Sequence, residues 1–154
     1  MTSRRALIAA ALGALAARPA VALAADRDPE ILLRLVARED AAALAYREAA
    51  PEPLPGIAAE EGDHGKALRT NLDALGRGAP QVEFDATARR LAEAPPDERL
   101  DAAIALEASL VDDYAVAVGG LTAPGILQSV ATILASHAQH HARLRALAGL
   151  DPFG

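Results

Sequence analysis

The sequence predicts an all-α fold, an antiparallel four-helix bundle with a long connection between its second and third helices. The chain is rich in Ala and Leu and has four aromatic residues among 154, a composition that favours helix over sheet. Four stretches carry apolar residues at steps of three and four, the spacing of an inward helical stripe. Clusters of Gly and Pro fall between those stretches and mark their ends. The length suits one domain with one core.

The first 24 residues read as a leader rather than as part of the fold. Ser3-Arg4-Arg5 opens an apolar, Ala-rich run that ends at Ala22-Leu23-Ala24. A basic start, an apolar stretch and a small-x-small end make a signal peptide. The paired arginines resemble the twin-arginine type, and Arg18 suits it; an ordinary secretory signal, or a single membrane anchor if it stays uncleaved, is the alternative. Export would place the mature chain, residues 25–154, in the periplasm, the cell envelope or outside the cell. Without the leader the chain keeps 12 basic and 21 acidic residues, a formal charge of −9. Nothing resembles a basic groove, so nucleic-acid binding is not expected. With no cysteine, there is no disulfide framework, thiolate metal site or lipoprotein anchor.

The first helix is expected over Pro29–Ala50, with Asp28 as its cap. Leu32, Leu35, Val36, Glu39, Ala42, Ala43 and Tyr46 share one face, and the run from Pro51 to Pro55 ends it. The second is expected over Ile57–Leu75, stopping at Gly76. Its inward stripe is Ile57, Glu61, His64, Leu68, Asn71 or Leu72, and Leu75. Glu61 and His64 stand three apart and face the same neighbour, with Glu60 able to replace Glu61 in another register. Gly62 and Gly65 cost helix propensity and would permit close approach of another helix.

Gly76–Asp97 is the long connection, with a short helix expected between Asp85 and Ala94. It can cross from one end of a bundle to the other, or it can be a surface loop. The third helix is expected from Asp97, as cap, to about Val118. Its inward face is Leu100, Ala103, Ile104, Glu107, Leu110, Val111, Tyr114, Ala117 and Val118. The fourth is expected over Pro124–Leu147 with Thr122 as cap. Its stripe is Ile126, Val130, Ile133, His137, His140, Leu144 and Leu147, with two histidines in the middle.

An internal repeat links the halves. Val36-Ala37-x-Glu39 with Tyr46 matches Ile104-Ala105-x-Glu107 with Tyr114. In each half the tyrosine follows the glutamate by seven residues, and the next helix bears a polar pair three apart. Glu39, Glu61, His64, Glu107, His137 and His140 therefore turn toward one core. Unpaired carboxylates there would cost several kcal/mol apiece, of order, or shift until they neutralised. A divalent cation would compensate them. Oxygen and imidazole donors suit iron, manganese or zinc. Tyr46 and Tyr114 are read as core residues whose hydroxyls bond a glutamate beside the metal. His141 lies on the flank of the stripe.

Here the chain resembles the ferritin-like superfamily, in particular small exported ferritin-like domain proteins related to rubrerythrins and bacterioferritins. The resemblance spans roughly Pro29–Leu147. That pattern has a Glu on the first and third helices and Glu-x-x-His on the second and fourth. Glu39, Glu61-x-x-His64, Glu107 and His140 match it. Position 137 departs, with His where the family has Glu. The resemblance implies iron, one or two ions per chain, with ferroxidase- or peroxidase-like chemistry. The departure leaves three outcomes open: an altered two-metal site, a single ion held by a subset, or a lost metal with a Glu–His network in its place. The last would be a non-catalytic envelope protein. The expected partner is a metal ion; no membrane contact is expected after leader cleavage, and a homodimer stays compatible. Iron storage in a shell finds no support in an identifiable fifth helix or cage contact.

Overall fold

A computed structural model describes residues 27–49 and 55–153. The stretch expected to be a leader, residues 1–24, and the proline run at 51–54 lie outside the described residues. Among the described residues there are five helices and no strand: α1 Arg27–Ala49, α2 Pro55–Ala74, α3 Ala86–Glu93, α4 Arg99–Gly120 and α5 Pro124–Leu147. The most extensive packing is of α1 on α2 and of α4 on α5. None is long and apolar enough to cross a membrane.

Most of the stripes lie where periodicity puts them; in α4, however, Leu106 is fully buried, while Ile104 and Val111, expected inside, are only partly so. Leu32, Leu35, Val36, Ala42, Ala43 and Tyr46 of α1 are buried, as are Ile126, Val130, Ile133 and Leu144 of α5. In α2, Leu72 rather than Asn71 completes the stripe. Two stripe ends differ from expectation: Leu75 and Leu147 are exposed, because both fall at helix ends with no neighbour left to cover them. Two apolar clusters result. One gathers Tyr46, Ile57, Leu91, Leu106, Leu110 and Leu144. The other gathers Leu32, Val36, Leu68, Leu72, Tyr114 and Val130. Glu39, Glu61, Glu107, His137 and His140 are the buried polar side chains of the same core, joined by Asp28 near the start of α1.

The connection between α2 and α4 is more ordered than a loop. Gly76 turns out of α2 at φ 69°, a left-handed value that suits glycine. Asp85 caps α3, accepting from the Thr87 and Ala88 amides at 2.7 and 3.0 Å. Ala88 and Leu91 then bury against the core, with Phe84 packed beside them. Arg38 of α1 ties the segment down. It reaches Asp85, Ser109 of α4 and, at 2.8 Å, Asp113.

Three caps correct the sequence reading. Asp28 lies inside α1, not at its cap, and Thr122 does not cap α5. Instead Asp28 accepts from the Thr122 and Ala123 amides at 3.0 and 2.8 Å. The first helix thus supplies the acceptor for the amides at the start of the last. Asp97 is displaced by Glu98 at the head of α4, which makes no side-chain cap bond. α4 also runs through Gly119 and Gly120, where sequence ended it. Of the α2 glycines only Gly65 permits close approach: a Cβ there would meet Asp40 Oδ1 at 3.1 Å and Glu39 Cβ at 3.3 Å. At Gly62 nothing lies within 4 Å.

Candidate metal centre

The middle turns of four helices build the site. Glu39 comes from α1, Glu61 and His64 from α2, Glu107 from α4, and His137 and His140 from α5. Glu39, Glu61, Glu107 and His137 have no exposed surface, and His140 is 4 % exposed. His64 is the outer member, its side chain 14 % exposed. These six fall into two overlapping groups whose donor atoms all lie within 4.8 Å of one another. Glu39, Glu61, His64 and His137 form one; Glu61, Glu107, His137 and His140 form the other. Glu61 and His137 belong to both.

Hydrogen bonds account for some of these atoms. His137 Nε2 lies 2.9 Å from Glu39 Oε1 and its Nδ1 3.0 Å from Glu107 Oε2, so a ring N–H can donate in either direction. Each tyrosine donates across the repeat. Tyr46 of α1 bonds Glu107 of α4 at 2.6 Å, and Tyr114 of α4 bonds Glu39 of α1. The hydroxyls do bond glutamates, but each serves the other half's carboxylate. His140 Nε2 donates to Glu60 at 2.6 Å. Glu60 is half-exposed and does not replace Glu61. It was legible in sequence only as a register alternative, since a residue beside a ligand normally faces water. His141 belongs to neither group and lines a surface hollow with Val111 and Phe153.

Other atoms are left over. Glu39 Oε2, both oxygens of Glu61, His64 Nδ1 and His140 Nδ1 are buried without a hydrogen-bond partner. Such groups cost about 1–3 kcal/mol each when neutral and more when charged. They converge: His64 Nδ1 is 3.6 Å from both Glu39 Oε2 and Glu61 Oε2. His140 Nδ1 is 3.0 Å from Glu61 Oε1. Carboxylate oxygens and imidazole nitrogens with open lone pairs around a common point fit a divalent transition metal. The second nitrogen of His140, held by Glu60, is the kind of outer partner that orients a ligating histidine.

The electrostatics show what the residues do without a cation. Burial pushes Glu39 up, but the hydrogen bond from His137 and the nearness of His64 outweigh it and hold the carboxyl well below its usual range. Glu107 is likewise raised by burial and lowered further by His137 and His140. Glu61 moves the other way: burial dominates and raises it. Burial pulls the histidines down, yet the carboxylates win, lifting His64 to about 9, His137 to about 10 and His140 to about 11. Burial and the adjacent glutamates raise both tyrosines well above 10, so their hydroxyls stay protonated donors. Without a cation these shifts favour imidazolium rings beside the Glu39 and Glu107 carboxylates.

A surface pocket of about 400 Å³ between α2 and α5 ends at His64 and is lined by Asp63, Ala67, Gln128, Ser129 and Thr132. The larger hollow beside Arg38, lined by Leu35, Phe84 and Val116, lies on the other side of α1 and holds none of the six.

A sequence model of the ferritin-like domain family matches residues 33–150, and the chain belongs to that family. No curated protein and no solved structure matches it.

Proposed function

We propose that this ferritin-like chain is an exported metal-binding protein whose Glu39, Glu61, His64, Glu107, His137 and His140 hold iron, with manganese or zinc as alternatives. The four long helices would form the antiparallel bundle of the family, with α3 as part of the long connection. The observation that carries this reading is the gathering of buried oxygen and nitrogen atoms without hydrogen-bond partners in two adjoining groups that share Glu61 and His137. A fold that needed these residues only for packing would leave no such lone pairs open.

Bound iron would supply a one-electron couple and an open position for oxygen or peroxide. The chain's own residues would do the rest. Tyr46 and Tyr114 each donate a hydrogen bond to one oxygen, of Glu107 and Glu39 respectively, and so fix how those carboxylates point. His140 and Glu60 link the interior to the half-exposed surface of α2. The pocket at His64 gives a small ion or oxidant a way in. The leader at residues 1–24 supports a destination beyond the cytoplasm.

Metal analysis of protein expressed with ample iron tests the reading. We expect about one or two ions per chain and a melting temperature that rises with added Fe(II). Glu61→Gln with His64→Gln should remove both. A folded wild-type preparation that takes up no metal overturns it.

A second reading has its own observation. His137 already spans Glu39 and Glu107 with near-ideal hydrogen bonds, as a metal-free structural network would. The bundle would then be a non-catalytic envelope protein. In that case the same double substitution changes stability but leaves metal content at zero throughout.

A further inference from the structure

The two donor groups share two residues, and the residues differ in what they can share. Glu61 has two oxygens, each open, one toward His64 and the other toward His140. A carboxylate can give one oxygen to each of two ions. His137 also faces both ways, with Nε2 toward Glu39 and Nδ1 toward Glu107 and Glu61. A neutral imidazole, however, has one lone pair; its second nitrogen carries a proton. Serving both groups would require loss of the second ring proton as well, which is far harder than loss of the first.

The ring has no freedom to step aside. It is fully buried, with the Tyr114, His64 and His140 rings centred 4.9, 5.2 and 6.0 Å away. Whichever nitrogen ligates, the other points its N–H at a carboxylate 2.9 or 3.0 Å away, in the group left without the ion. That N–H takes His137 away from the other group as a donor and aims a bound proton at one of its carboxylates.

We propose that His137 sets the nuclearity of this centre: the two groups are mutually exclusive, and each chain holds one divalent ion. This rests on the reading of the cluster as a metal site and adds that His137 acts as a ligand on one side and a proton-bearing wall on the other. A glutamate at 137, with two oxygens like Glu61, would remove the wall.

Mn(II) titration of the full chain, first stripped of metal, followed by equilibrium dialysis and electron paramagnetic resonance, tests this. The wild type should saturate at one Mn(II) per chain and show the six-line signal of an isolated ion. His137→Glu should saturate at two, with the six-line signal lost to a broadened, spin-coupled one. Two ions in the wild type overturn the inference while leaving the metal site standing. So does a folded His137→Glu variant that stops at one. No bound Mn(II) in folded wild-type protein overturns the inference together with the metal site. The wild-type stoichiometry decides even if His137→Glu fails to fold.

Discussion

The α1–α2 half and the α4–α5 half carry the same plan with different chemistry. Each offers a buried glutamate, a tyrosine seven residues on, and a polar pair three apart on the next helix. The first half ends in Glu61 and His64, and His64 opens onto a surface pocket. The second ends in His137 and His140, both buried, with His140 anchored to Glu60 of the first half. The tyrosines cross over, so neither half completes its own hydrogen bonds. The difference teaches that a repeat can be symmetric in backbone while its donors are not. The second half brings an extra cationic ring where the first brings a carboxylate.

The largest test of that contrast is pH. A histidine whose folded pKa is raised stabilises the fold below its unfolded value of about 6.5, and that contribution is lost as pH rises through the folded value. With His64, His137 and His140 at about 9, 10 and 11, metal-free protein should lose stability progressively above pH 6.5. Glu39 and Glu107 are lowered, so their contribution falls away below about 4.5. Glu61 is raised, so its contribution, like that of the histidines, is lost as pH rises. Thermal melts in chelator should peak on the acid side of neutrality. Added metal should reverse the trend between pH 6 and 8, because ligating histidines must be neutral. A flat profile without metal would show that the histidines do not bear the charge described.

Tyr46→Phe and Tyr114→Phe probe whether the crossed bonds are equivalent. Each removes a buried hydroxyl from a carboxylate and should cost about 1.5–3 kcal/mol. Denaturant melts should place the two within 1 kcal/mol, of order, if the halves match. The double variant should depart from the sum of the two, since both glutamates bond the one His137 ring and belong to a single network.

Asp28→Ala tests the stitch between halves. It removes the acceptor for the Thr122 and Ala123 amides and should cost about 1 kcal/mol, the usual worth of a cap. Asp28→Asn should recover only part of it, because its single amide oxygen can replace just one of the two accepting carboxylate oxygens. Smallest is the pair of α2 glycines. Gly62→Ala should stabilise by about 0.5–1 kcal/mol through helix propensity. Gly65→Ala should lose that gain or reverse it, because its Cβ presses on Glu39 and Asp40. Equal effects at both would mean that α1 and α2 are less closely packed than described.

Much of this was legible before any coordinates. Periodicity fixed the four faces because a 3.6-residue turn leaves few ways to bury Leu32, Leu68, Leu110 and Val130 together. It also singled out six hydrophilic side chains on those faces, because a buried Glu or His stands out in an Ala-rich stripe. What stayed hidden depends on distance along the chain. Asp28 and Thr122 are 94 positions apart, so local capping rules assigned both wrongly. The tyrosines could be placed on a face but not matched to a glutamate, since spacing says nothing about which helix lies opposite. The tie from Arg38 to Asp85 and Asp113 stayed hidden for the same reason, since spacing does not say which charges α3 and α4 bring beside α1.

The bond from His140 to Glu60 means that the interior is not electrically sealed. One carboxylate oxygen lies 2.6 Å from the buried ring, on a side chain half in water. A cation settling on the α2 surface, or a partner bringing acidic groups there, would change the charge felt by the ring without entering the bundle. The outer face of α2 is thereby a terminal wired to the centre.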